Sequence, residues 1–480
     1  MKPTYENAIK LLESRMRKAR PENRATFSRP DPVTATATQG LKGLPSLVGM
    51  KEWLQLLGHS DNAVNNLNII HVTGTKGKGS TCALTRSILH AHGLRTGFPK
   101  RVGLYTSPHL LYVRERIQIN DQPISEDRFT RYFYEVWDRL FGQGVENVRQ
   151  PRYLQFLALL AFHTFIREEV DAAIFEVHHG GEYDATNVIS RPVATGVVSL
   201  GLDHVDQLGP AIENVAWHKS GIFKSGAPAF SVPQDAGPAE VMRSRAEERG
   251  TSLTFVESDE SVPRVETGIL GVPVQRLNCS LALGLSRALL RQKAPDQRIT
   301  PEDIARAVDS VSWPGRFEVI SKGKSQWFLD GAHNTLSLGQ AAQWFASNVR
   351  ATGQHIPRVL IFSHISDARD GVSLMECLAK ALHENDMKPE HVIFTTYQET
   401  EEGSVRFDKI MKPPLMAFPG LCETYSSLWA KFDPEASVSM EPTIEKALQR
   451  ARNIGEQNGA HIFVTGSLYL VGGALAFLRS

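Results

Sequence analysis

Gly74-Thr75-Lys76-Gly77-Lys78-Gly79-Ser80-Thr81 packs three glycines, two lysines and three hydroxyls into eight positions. An apolar run, 67–72, precedes it, and a helical pattern over 80–92 follows. A strand, a glycine turn and a helix start make a cradle for phosphate, because free backbone N–H groups and the helix dipole both favour an anion there. Gly74, Gly77 and Gly79 let the backbone curl close to the anion. Lys78 is the group that reaches terminal phosphates, and Ser80 or Thr81 can hold Mg²⁺. The spacing is not the common GxxxxGK[ST], since only Thr75 and Lys76 separate Gly74 from Gly77. Its setting between strand and helix nevertheless points to nucleotide binding.

Other polar groups fall at or just past the carboxyl ends of expected strands, where open α/β sheets place ligands. Glu176 ends the run 171–177, ahead of His178-His179-Gly180-Gly181-Glu182-Tyr183-Asp184. It would suit the Mg²⁺ of a nucleotide, or be a solvated loop acid. Asp203-His204 follows the run 193–200, and His204 is either a metal ligand or structural. Lys219 lies among apolar neighbours and reads as functional or as an ordinary surface lysine. Asp330, in Asp330-Gly331-Ala332-His333-Asn334, would suit a ribose or a substrate amine, or cap the next helix. Asn278 and Arg316 are candidate phosphate contacts, or plain surface groups.

The elements that must position these groups alternate. Tyr5, Ile9, Leu12 and Met16 give a helix over 4–19, and the Pro/Thr/Gly-rich stretch 21–43 reads as linker. Expected helices follow at 126–142, 151–168 and 277–291, with strands at 171–177, 193–200 and 227–232. The near-continuous apolar strands imply a parallel sheet covered on both faces. After Ser312-Trp313-Pro314-Gly315-Arg316, a plausible hinge, the alternation restarts. Strands are expected at 326–329, 358–362, 391–396 and 461–465, with helices at 336–349, 371–384 and 443–457. That restart argues for two domains, 1–312 and 313–480. With 480 residues, more than one core is needed. The net charge of +1 offers nothing to nucleic acid or an anionic membrane. The four cysteines are scattered, without a CxxC pair, so zinc or a disulfide framework is not expected. There is no apolar signal core and no membrane-length run. Glu6 and Glu13 weaken a mitochondrial leader without excluding it, and a monomeric cytoplasmic protein is expected.

Taken together, eight stretches resemble the folylpolyglutamate synthases of the Mur-ligase superfamily, on its eukaryotic, fungal-like branch. They are Val72–Thr81, Gly103–His109, Glu182–Asn187, Leu202–Val205, Ala216–Lys224, Trp313–Arg316, Leu329–His333 and Val464–Leu468. The resemblance runs in order through nearly the whole chain. It implies a large P-loop ATPase domain with a parallel-rich sheet and a smaller Rossmann-like α/β domain that binds the amino acid. It implies ATP and two Mg²⁺ ions. Gly74, Thr75, Gly77, Lys78, Gly79, Ser80 and Thr81 would cradle phosphates. Ser80, Ser107, Glu176, His204 and Lys219 would serve the metals, with Lys219 carbamylated. Asn278 and Arg316 would contact phosphate, and Asp330 and His333 would lie near the nucleotide and amino acid. Lys78, Lys219, His204 and Arg316 would be the catalytic set. Gln118 belongs to a segment near the pterin region. The domains would close about the hinge at Trp313 to keep water from an acyl phosphate.

The chain also departs from that pattern. His178-His179 replace a Gly-Ile pair after Glu176, which would strain the backbone if the glycine needs positive φ. His218 precedes Lys219 in place of Gln or Glu. The loop 362–370 lacks an Asn-rich start, and Asn334-Thr335-Leu336-Ser337 replaces Thr-Pro-Glu-Ser. Tyr469 stands where a His is usual. The leading reading is a ligase joining L-glutamate to the γ-carboxylate of folate. The rival within the same chemistry joins another amino acid or amine to another carboxylic acid. A reading of another class is a non-catalytic nucleotide-binding protein.

Overall fold

The computed structural model describes residues 2–16, 45–142, 149–202, 205–265, 268–353, 355–366, 370–402 and 420–479. The expected linker 21–43, the pair Asp203-His204 and part of the loop 362–370 lie outside them. Two compact units form. The first comprises Met1–His109, Arg114–Val262 and Arg276–Ser312, and the second Leu110–Val113, Pro263–Gln275 and Trp313–Ser480.

The first unit is built on eight strands: β1 Ile69–Thr73, β2 Val102–Tyr105, β3 Ile117–Ile119, β4 Gln122–Pro123, β5 Ala172–Glu176, β6 Ala194–Val197, β7 Ala229–Ser231 and β8 Leu253–Phe255. Their order is β4-β3-β2-β5-β1-β6-β7-β8. The six from β2 to β8 in that order are parallel, and β3 and β4 extend the β2 edge antiparallel. Every residue of β1 and β5 is buried, which is why both read as unbroken apolar runs. Register pairs Val72 with Glu176 and Tyr105 with Phe175, so the carboxyl ends of β1, β2 and β5 lie side by side. Helix Lys78–Thr96 leaves β1 directly through the glycine turn. Helix Glu126–Phe141 starts at Ser125, whose side chain accepts from Arg128 N, and turns Phe129, Tyr132, Phe133, Val136 and Leu140 inward.

The second unit has β9 Glu318–Lys322, β10 Ser325–Asp330, β11 Arg358–Phe362, β12 His391–Thr395, β13 Ser437–Glu441 and β14 His461–Thr465. Their order is β13-β12-β11-β14-β10-β9, parallel except for β9. Period-two alternation sends Phe328, Phe362, Phe394 and Phe463 into one core. Leu329, Ile361, Ile393 and Val464 enter the core on the opposite face. Among the described residues no helix is long and apolar enough to cross a membrane.

Candidate active site

The glycine turn is held from below. Thr75 N donates to Ser199 O at 2.9 Å, and the Thr75 hydroxyl donates to Gly201 O at 3.0 Å. Gly74 has φ +139°, and a Cβ there would sit 2.1 Å from Val198 Cγ2. Gly77 has φ +96°, and its Cβ would meet Asn278 Oδ1 at 2.8 Å, so Asn278, 1 % exposed, packs against the turn. Only glycine fits either place. Gly77 also caps helix Lys78–Thr96, leaving the first-turn N–H groups of Lys78, Gly79 and Ser80 at the turn. Thr81 is buried, and its hydroxyl has no partner among the described residues.

Two ammonium groups meet at one oxygen. Lys78 Nζ donates to Gly74 O at 2.9 Å, and Lys219 Nζ donates to the same oxygen at 2.7 Å. Lys219 is 5 % exposed, on helix Ile212–Ser220, so the surface-lysine reading is wrong. Its neighbour His218 is pushed down to about 4 by burial and by the charges of Lys219 and Arg245, and is neutral near pH 7.

Glu176, at the end of β5, is buried and oriented by β2. The Thr106 hydroxyl and Ser107 N, the latter at 3.1 Å, both donate to Oε2. Oε1 takes no hydrogen bond among the described residues, so one oxygen is anchored and the other available. The Cys82 thiol, in the second helical turn, is raised by burial and by Glu176 and lowered by Lys78. The carboxylate and the phosphate-loop lysine thus act on one point, which puts both within electrostatic reach of it.

The segment after Glu176 is where the sequence departs from its resemblance. Positive φ falls on Gly180, at +67°, and not on His178 or His179, so the imidazoles impose no backbone strain. The Tyr105 hydroxyl and His178 Nε2 lie 2.6 Å apart, and His178 Nδ1 lies 3.3 Å from Asp184 Oδ2. Thr186 donates twice to Asp184 Oδ1, and its hydroxyl also meets His71 Nε2 at 2.9 Å. Burial alone would raise the Asp184 carboxyl, but His178 and the Thr186 donors outweigh it and hold it well below the usual range. The Thr106 and Tyr105 contacts were not foreseen. Their only sequence signal is their place in the stretch Gly103–His109.

The second unit carries a cluster of its own. Asp330 is fully buried, accepts from Phe317 N at 3.0 Å and Ala332 N at 2.9 Å, and is pushed up to about 6 by burial against the pull of Arg316. Phe317 has φ +48°, a costly conformation for an aromatic residue, and its N–H is tied down by Asp330. The cap of helix Thr335–Thr352 is Asn334, so the helix-cap reading of Asp330 is wrong. His333 Nδ1 lies 2.8 Å from Gly331 O, and Arg316 Nη1 donates to Gly315 O at 3.1 Å.

The turn, Lys78, Lys219, Thr75 and Asn278 therefore converge, as do Ser107 and Glu176. Arg316, Asp330 and His333 group in the second unit, and His204 lies outside the described residues. Comparison with known proteins adds identity to this geometry. Residues 315–477 match the family profile described as dihydrofolate synthetase, C-terminal domain. A folylpolyglutamate synthase of Neurospora crassa is 39% identical over 457 residues, covering 90% of this chain and 85% of that protein. One of Saccharomyces cerevisiae is 40% identical over 494 residues, covering 98% and 86%. The folylpolyglutamate synthase of Mycobacterium tuberculosis, solved with ADP and AMPPCP, shares the fold at a TM-score of 0.70 and 23% identity, covering 91% of this chain and 96% of its own. The chain belongs to the folylpolyglutamate synthase family.

Proposed function

We propose that the protein is an ATP-dependent amide ligase that adds L-glutamate to the γ-carboxylate of a reduced folate. The observation that carries this reading is the 39–40% identity, over most of both chains, to two folylpolyglutamate synthases. A carboxylate resists amines because oxide is too poor a leaving group. Transfer of the γ-phosphoryl of ATP to the carboxylate gives an acyl phosphate and ADP. The glutamate nitrogen then attacks the acyl carbon, and phosphate leaves.

Phosphoryl transfer asks chiefly for positioning and charge neutralisation. The N–H groups of the glycine turn would hold the phosphates, with Asn278 behind Gly77. Lys78 would exchange the Gly74 carbonyl for the transferring phosphoryl oxygens, and Arg316 would add a second positive charge. Ser80, Ser107, Glu176, His204 and Lys219 would hold Mg²⁺. The available Glu176 Oε1 and the partnerless Thr81 hydroxyl fit that demand. Bound Mg²⁺ would supply neutralisation of the developing phosphate charge. Two ammonium groups on Gly74 O repel, so carbamylation of Lys219 would replace that repulsion with attraction and create an anionic ligand. Asp330 and His333 would serve the nucleotide ribose and the amino acid.

The family profile over 315–477 favours a second reading, in which glutamate is joined to dihydropteroate to give dihydrofolate. The test is ADP release and product mass with tetrahydrofolate, dihydropteroate and a panel of other acids, each with L-glutamate and with other amines. Glutamylated tetrahydrofolate is expected. Product from dihydropteroate alone would establish the second reading. Product only from a non-folate pair would overturn both.

A further inference from the structure

We propose that His178 is a positioning residue that clamps the end of β5 to the end of β2, and so fixes Glu176 for the nucleotide-bound cation. The proposal rests on the reading of Glu176 given above. Two neighbouring residues at the end of β2 each reach the chain at the end of β5. The Thr106 hydroxyl binds the Glu176 carboxylate. The Tyr105 hydroxyl lies 2.6 Å from His178 Nε2, with the two rings edge to face at 5.3 Å. The far nitrogen of His178 lies 3.3 Å from Asp184 Oδ2, and those two side chains are 3% and 2% exposed. Asp184 in turn binds Thr186, and Thr186 meets His71 on β1.

One imidazole thus ties the end of β5 to the end of β2, and reaches β1 through Asp184 and Thr186. It stands two residues past Glu176, and its partner Tyr105 stands one residue before Thr106. Glycine, small and free to rotate, could make neither bond. A buried ring bonded at both nitrogens has one orientation, and that orientation sets where the β5 end, and hence Glu176 Oε1, sits. Partners that orient a metal-binding carboxylate matter to the metal more than to the rest of the ligand.

The test uses the full chain and binding rather than turnover. AMPPCP affinity is measured by calorimetry without metal and across a Mg²⁺ titration. Wild type is compared with Tyr105→Phe, His178→Ala and the double variant. Tyr105→Phe keeps the ring and removes only the hydroxyl, so it decides the matter if His178→Ala does not fold. The Mg²⁺ concentration for half-maximal effect should rise about tenfold or more in either variant, while metal-free affinity stays within about twofold. The double variant should be no worse than the worse single one, because both break the same clamp. An unchanged Mg²⁺ midpoint in folded Tyr105→Phe would overturn the proposal. So would an equal fall in metal-free affinity, which marks a general structural role. A wild type indifferent to Mg²⁺ would overturn the metal reading of Glu176 itself, and this proposal with it.

Discussion

Gly74→Ala is a perturbation whose size can be worked out atom by atom. Gly74 has φ +139°, and its Cβ would lie 2.1 Å from Val198 Cγ2 and 3.0 Å from both Val198 N and O. The methyl could rotate away, but the backbone atoms belong to the strand end that supports the turn and cannot. Holding alanine at that φ costs ~1–3 kcal/mol. Crowding a packed position adds ~1–3 kcal/mol. The sum is about 2–6 kcal/mol, unless the turn moves and releases the strain by giving up its cradle. Gly97 is the control. It caps the other end of the same helix with φ +86°, and nothing lies within 4 Å of its Cβ position. Gly97→Ala should cost only the conformational part, ~1–2 kcal/mol. Urea unfolding and AMPPCP binding measure both variants. Gly97→Ala should bind like wild type, and Gly74→Ala should be less stable, or bind far more weakly, or both. Equal stability and equal nucleotide affinity in the two variants would refute the crowding argument and the role of the turn.

Lys78→Ala should lower turnover by about a hundredfold or more while the fold survives; steady-state rates and circular dichroism check this, and near-normal turnover would contradict the role given to Lys78. Lys219→Ala, or rigorous removal of bicarbonate, should strongly lower the rate, and unchanged rates in both would reject carbamylation. Asp330 gives a pH signature. Its folded carboxyl, at about 6, lies above the ordinary value of 3.8, so the folded state keeps a proton that the unfolded state has released. That contribution is present at low pH and is lost as pH rises through about 6, a fall of about 3 kcal/mol. Asp330→Asn should flatten the slope between about pH 4 and 6 in denaturant titrations, and parallel curves for the two proteins would contradict the burial of that charge.

Legibility in the sequence followed burial. The strands β11 and β14, and helix Gly371–Glu384, stand at their expected bounds because their apolar runs stop abruptly at polar residues. The first helix is shorter than expected, Tyr5–Ser14, since the periodicity outlasts the hydrogen bonding. Strands β9 and β13 were missed because edge strands are half exposed and read as polar. The strand β2 was missed because four residues behind Lys100-Arg101 carry too little pattern. Phosphate-loop chemistry was visible because it is local, a glycine–lysine spacing between two elements. The burial of Lys219 was not, because its partner, Gly74 O, is 145 residues away in the chain. The same holds for Tyr105 with His178, which 73 positions separate. His178 looked like a strained intrusion, yet the positive φ lies two residues on, at Gly180, and the imidazole has bonds that no local rule supplies.

If ATP makes a carboxylate electrophilic, an oxygen atom must pass from the acid to phosphate. The direct measurement is oxygen transfer from tetrahydrofolate labelled with ¹⁸O in its γ-carboxylate, with ATP and L-glutamate, read by mass spectrometry of the phosphate released. An acyl phosphate intermediate predicts one labelled oxygen in each inorganic phosphate formed with product. Product accompanied by wholly unlabelled phosphate would contradict it.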